Sequence, residues 1–233
     1  MRRLRRSILI LLTCALLLSI GSLYAAAEVE VIYRRAAKGG HPRIALTFDD
    51  GPHPKYTPQI LDILAEYQVP ATFFAVGENL KAYPAIAQRI VREGHELGNH
   101  TFHHGRLSRM PAAELKQEIR SCKNAIEEIT GHSARLFRPP EGVCTKDLQS
   151  VCEELELTII LWSFDTRDWA HTPQDEMIRN VKENTKNGSI ILMHDFIGQK
   201  SPTPAALRKI IPTLLGSGYE FVTVSQLLEA GAI

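Results

Sequence analysis

The chain has 233 residues, 44% of them hydrophobic and 23% charged, a balance that excludes collagen-like, coiled-coil and disordered proteins. Its formal charge is +1, and the first six residues hold four arginines and no acid, so residues 28–233 carry a net −3. A near-neutral, slightly acidic body excludes a nucleic-acid binder that works by electrostatic attraction.

In chain order, residues 1–27 come first. The arginines are followed by an apolar run, Ser7 to Ile20, and then by Ala25-Ala26-Ala27. Basic, apolar and small-residue regions in that order read as a signal peptide. The alternative is an uncleaved membrane anchor, since about 20 apolar residues suffice to span a bilayer. Either reading exports the rest of the chain, with the arginines left on the cytoplasmic side. The expected location is extracytoplasmic, secreted or anchored at the outer face of the membrane, with membrane contact through this segment alone.

Residues 28–41, with Gly39-Gly40, read as an irregular lead-in, and residues 42–233 as one domain expected to act as a monomer. Short runs rich in Ile, Leu, Val and Phe read as buried parallel strands: Arg43–Phe48, Ala71–Val76, Glu96–Gly98, Leu136–Phe137, Thr158–Trp162, Ser189–Met193 and Glu220–Val222. Between them, helices are predicted over Pro58–Tyr67, Pro84–Glu93, Pro111–Thr130, Lys146–Glu154, Gln174–Lys186, Pro204–Gly216 and Ser225–Glu229. Pro111 suits a first helical turn and Gly131 a C-cap. This alternation predicts an α/β fold: a single (β/α) barrel, closed or nearly so, of about seven strand–helix units. Cys14 lies in the leader. Cys122, Cys144 and Cys152 show no C-x-x-C spacing and are too few to pair fully, so free thiols are expected, with a bridge from Cys152 to Cys144 or Cys122 left open.

In a barrel of parallel strands, the loops after the strand C-termini build the active site. Asp49-Asp50-Gly51-Pro52 follows the first predicted strand, Asn99-His100 the third, Arg138-Pro139-Pro140 the fourth, Asp165 to Trp169 the fifth and His194-Asp195 the sixth. Two adjacent carboxylates raise one another's pKa unless a cation intervenes, so one ligand and one base is a stable division of labour. The alternative is a solvated Asp-Asp-Gly-Pro turn. His100 and His104 share a face if they stand on a helical turn. Two imidazoles and a carboxylate leave a fourth position open for water, the pattern of catalytic zinc. His103 is the odd one out of His100-Thr101-Phe102-His103-His104. His194 is a candidate general acid, with Asp165 and Asp168 both candidates to orient it.

These residues resemble the NodB-homology polysaccharide deacetylases, carbohydrate esterase family 4. Thr47-Phe48-Asp49-Asp50-Gly51-Pro52 matches TFDDGP, His100 to His104 matches H-[S/T]-x-x-H, and Arg138-Pro139-Pro140 matches the start of R-x-P-[Y/F]. Asp165 to Trp169 matches D-x-x-D-W, and Leu192-Met193-His194 matches L-x-H. The resemblance covers about residues 42–230. It implies a distorted (β/α) barrel and a hydrolase that removes N-acetyl groups from sugars of a cell-wall polymer, with peptidoglycan first. A chitin-oligomer deacetylase, an acetylxylan esterase or an inactive glycan-binding domain are the alternatives. It further implies Asp49 as base, Asp50, His100 and His104 as ligands of a divalent metal (zinc, or cobalt), Arg138 orienting Asp49, and Asp168 orienting His194 as general acid. Trp169 and Leu192 would wall the acetyl slot, beside Pro139. Glu141 stands where the family usually has an aromatic residue, whose backbone N–H serves the oxyanion; the carboxylate adds charge near the sugar.

Overall fold

A computed structural model describes residues 30–231 apart from His171 and Gln199. The predicted leader, with Cys14, lies outside the described residues. Among the described residues no helix is long and apolar enough to cross a membrane.

Among the described residues nine strands form one sheet: β1 (Val31–Ile32), β2 (Arg43–Asp49), β3 (Thr72–Ala75), β4 (Glu96–Asn99), β5 (Leu136–Phe137), β6 (Thr158–Ile160), β7 (Phe164–Asp165), β8 (Ile190–His194) and β9 (Glu220–Phe221). The order is β1-β6-β5-β4-β3-β2-β8-β7, with β9 added to the start of β2. Every pairing between these strands is parallel. Among the described residues β1 and β7 do not pair with each other, so the barrel is distorted and open. The helices of the described residues cover it: α1 (Tyr56–Tyr67), α2 (Gly77–Ala82), α3 (Pro84–Arg92), α4 (Ala112–Thr130), α5 (Lys146–Glu154), α6 (Gln174–Asn184), α7 (Thr203–Gly216) and α8 (Val224–Ala230).

All seven predicted strands are present, within two residues at their ends. Two more exist. Val31–Ile32, inside the stretch read as an irregular lead-in, pairs with Ile159 and Ile160. Two residues are too few to show a period, so no pattern marks this strand. The same holds for β7, and α2 is a six-residue helix without capping side chains. Pro111 is the N-cap of α4 rather than part of its first turn, and Gly131 closes that helix at φ 72°, where a side chain would crowd the backbone.

β2 shows how the core positions the site. Six of its seven residues are buried, so both faces are covered and polar alternation is lost. Ile44, Leu46 and Phe48 pack outward with Ile60, Leu64, Ile210 and Ile211 from α1 and α7. Each such side chain, fully buried, stabilises the fold by about 1.5–3 kcal/mol. Ala45 faces the barrel interior with Phe74, Leu136 and Ile160. Alternation puts Thr47 and Asp49 on that interior row, ending at the mouth. Cys122, Cys144 and Cys152 are free thiols, and burial pushes Cys122 and Cys152 up to about 12.

Candidate active site

The C-terminal ends of the strands surround a cleft of about 510 Å³, lined by Asp49, Asp50, His100, His104, Pro139, Glu141, Trp162, Asp165, Trp169, Leu192 and His194. Asp49 and His194 are register partners on β2 and β8, so the pairing itself sets them side by side.

Asp49 is held from behind. Arg138 is fully buried and donates from Nη1 to Asp49 Oδ1 at 2.7 Å and to the Thr47 hydroxyl at 2.8 Å. Its Nε and Nη2 donate to the carbonyls of Ile160 and Leu161, and its guanidinium lies 4.0 Å from the Phe74 ring centroid. Burial lowers the Arg138 pKa, yet the pairing with Asp49 keeps a cation in the barrel.

His194 is held in the same way by Asp168, which is fully buried. Asp168 accepts from the His194 backbone N–H at 2.7 Å, from His194 Nδ1–H at 2.8 Å, from the Trp169 N–H and from the Thr203 hydroxyl. Nδ1 therefore carries a proton, and Nε2 is left for the cleft. Burial by itself lowers the His194 pKa. The bond to Asp168 and the negative charges of Asp168, Asp49 and Asp50 together outweigh it and raise the value to about 9. Of the two carboxylates that the sequence offers as partners of His194, Asp168 takes the place; Asp165 instead accepts from Trp169 Nε1–H and the Arg167 N–H.

Across the cleft, Asp50, His100 and His104 bring three ligand atoms within 4.8 Å of one another. Asp50 turns out of the strand at φ 77°. Its Oδ1 is buried with no hydrogen-bond partner, although His104 Nε2 lies at 3.1 Å and His100 Nε2 at 3.4 Å. Burial alone raises the Asp50 carboxyl, whereas hydrogen bonds from the two imidazoles, when these are protonated at Nε2, outweigh it and lower it below the usual carboxylate range. His100 Nδ1–H donates to the Arg138 carbonyl at 2.7 Å, which fixes the tautomer and turns the Nε2 lone pair toward Asp50. The pairing of His100 with His104 is as expected, but its backbone is not a helical turn. Thr101 and His104 have φ of 68° and 54°, and the segment is an irregular loop. Thr101 N–H donates to Asn99 Oδ1 and His104 N–H to the Thr101 hydroxyl, so side chains of the loop replace the helical bonds.

Three features escape the sequence reading. Trp162 ends an apolar run and reads as core, yet it lines the cleft. Asp195, fully buried behind the cleft, accepts from the Thr57 hydroxyl and has its pKa raised to about 7 by burial. It explains Gly51: a Cβ there would stand 2.0 Å from Asp195 Oδ2. Glu118, in the middle of α4, binds His103.

The sequence model of the polysaccharide deacetylase family matches residues 36–160, more than half of the chain. The chain belongs to this family. A peptidoglycan-N-acetylglucosamine deacetylase of Bacillus cereus is 42% identical over 188 residues, covering 80% of this chain and 88% of that one. A chitooligosaccharide deacetylase of Azorhizobium caulinodans is 37% identical over 188 residues, covering 76% and 90%. Among solved structures, the Bc1960 peptidoglycan N-acetylglucosamine deacetylase superposes with a TM-score of 0.80 at 36% identity, covering 84% of this chain and 92% of that one. The distorted (β/α) barrel is thus the fold of the family. The chain is a hydrolase of acetylated glycans, and such deacetylases are metal-dependent.

Proposed function

We propose that this chain is an exported deacetylase that removes N-acetyl groups from N-acetylglucosamine units of peptidoglycan, with Asp50, His100 and His104 holding zinc. The observation that carries the metal reading is the buried, partnerless Asp50 Oδ1 facing two imidazole Nε2 atoms, one of fixed tautomer. A donor set of two histidines and one carboxylate favours zinc, or cobalt, over magnesium or calcium. When bound there, the metal supplies Lewis acidity toward the acetyl carbonyl and a more acidic water.

The protein groups divide the remaining work. Asp49, held by Arg138, takes the proton of the attacking water. The backbone N–H of Glu141, on the cleft wall, serves the developing oxyanion. Leu192, Trp162 and Trp169 line the apolar side of the slot, which the acetyl methyl fills, and Pro139 and Glu141 border the sugar. His194, protonated and oriented by Asp168, gives its Nε2 proton to the departing amine. Peptidoglycan is favoured because the Bacillus cereus relatives named for it are 42% and 38% identical to this chain. The chitooligosaccharide relatives, at 37% and 36%, define the second reading.

Export rests on residues 1–27 and on the wall polymer as substrate, and the protein is proposed to act as a monomer. Mass spectrometry of peptidoglycan fragments and chitin oligomers after incubation with zinc-loaded protein tests the substrate. Faster loss of acetyl groups from chitin oligomers than from peptidoglycan reverses the order of the two readings. A fusion lacking residues 1–27 stays in the cytoplasm if the leader directs export, and an N-terminus mapped at Glu28 distinguishes cleavage from anchoring.

A further inference from the structure

The two histidines of the ligand cluster are supported very differently. His100 is 3% exposed and its Nδ1–H donates to the Arg138 carbonyl. Histidine ligands nearly always have such a partner on the ring nitrogen that faces away from the metal. The His104 ring is bonded on that side to no residue but its own backbone among the described residues, and its side chain is 40% exposed. Its place is therefore set by its backbone, which lies in the left-handed region at φ 54°.

That backbone is pinned one residue earlier. Glu118, on α4, accepts the His103 backbone N–H on Oε2 at 2.9 Å and the His103 Nδ1–H on Oε1 at 2.6 Å. The Glu118 side chain is 12% exposed, although a glutamate in mid-helix ordinarily points to water. The start of the same loop is tied to the same helix, since Asn99 Nδ2–H donates to the Ile119 carbonyl at 2.7 Å. The His103 ring, 56% exposed, turns away from the cluster with Nε2 3.8 Å from Glu78.

We infer that Glu118 is a positioning residue for the metal site: by gripping His103 at two atoms it fixes the loop that presents His104 to Asp50 and His100. His103 is a strut, not a ligand. This rests on the metal reading above.

The test compares zinc affinity, by chelator competition, and the visible spectrum of the cobalt-substituted protein. The variants are Glu118→Ala, Glu118→Asp and Glu118→Gln, each checked for folding by a metal-free melting curve. Glu118→Ala is expected to weaken zinc about 10- to 100-fold, the usual effect of losing an outer support of a ligand, and to alter the cobalt bands. Glu118→Asp keeps the charge but draws the oxygens back by one carbon, and is expected to weaken zinc as well. Glu118→Gln keeps an oxygen for the His103 N–H and is expected to recover most of the affinity. Wild-type affinity and spectrum in Glu118→Ala overturn the inference, whatever happens to the melting temperature. If that variant does not fold, the same result in Glu118→Asp overturns it. His100→Ala is measured alongside. Full zinc binding by His100→Ala overturns the metal site itself, whereas its loss together with an unchanged Glu118→Ala removes the role of Glu118 alone.

Discussion

On the acid–base side of the cleft, Arg138 and Asp168 are fully buried, and each makes four hydrogen bonds that hold Asp49 and His194 in place. On the opposite side, Asp50 Oδ1 has no partner, and Asp50, Thr101 and His104 have positive φ. The first half is complete as a protein structure: every charge is paired. The second half keeps a concentration of ligand atoms and left-handed backbone that a cation would make favourable. On the proposed reading, the contrast teaches that preorganisation comes from two sources, a buried network that would serve proton transfer and a ligand cluster that would hold a cation for electrophilic activation.

Perturbing the ion side should have the largest effect. His100→Ala removes a ligand and also uncovers the Arg138 carbonyl. Metal analysis of the purified variant should show loss of stoichiometric zinc, and deacetylation should fall by at least about 10³-fold, since the Lewis acid leaves with it. Full zinc with the rate lost would mean that His100 serves chemistry without holding the metal.

On the other side, His194→Ala should lower turnover of an acetylated sugar amide by about 10²- to 10⁴-fold, the usual worth of a general acid. An aryl acetate should lose far less, because a phenolate leaves without a proton. The raised His194 pKa gives the sign of the pH dependence. The imidazolium is present at neutral pH and is lost as pH rises through its pKa, so the rate should fall on the basic side. A bound cation pulls that pKa downward, which puts the basic limb at or below about 9. Asp168→Asn should move this limb to lower pH. Equal losses on amide and ester would remove His194 from the acid role.

An effect of similar size, but on stability, is expected from Arg138→Met, read from urea unfolding. Removing one partner of a buried pair leaves Asp49 uncompensated and should cost about 3–5 kcal/mol. A cost near zero would show that water reaches Asp49 and that the network is not the source of order. The smallest change is Thr203→Val, which removes one of the four bonds to Asp168. A loss of about 1.5 kcal/mol and a slight shift of the basic limb are expected, because Asp168 keeps its three other donors.

The sequence made much of this legible, for a physical reason. Parallel strands buried on both faces are short apolar runs, and the loops after them bear the His, Asp and Arg residues, so Asp49, His100, Arg138, Asp168 and His194 each follow a readable strand. What could not be read depends on contacts between distant segments. Asp195 and Thr57 meet across 138 residues, and neither residue type announces a buried partner. Glu118 lies on an amphipathic helix, where glutamate normally signals solvent. Trp162 closes an apolar run in which an aromatic ring signals core. The four-residue spacing of His100 and His104 identified the pair, but the loop that joins them is held by side-chain caps that no spacing rule encodes.

The central claim is that the cleft deacetylates glycans with Asp49 as base beside a metal it does not need to hold. The most direct test is Asp49→Asn, with metal content and product masses measured on the same preparation. The account predicts zinc bound at the wild-type level by Asp50, His100 and His104, while peptidoglycan fragments that the wild-type protein deacetylates keep their acetyl groups. Deacetylation at the wild-type rate by Asp49→Asn, or loss of its zinc, would contradict it.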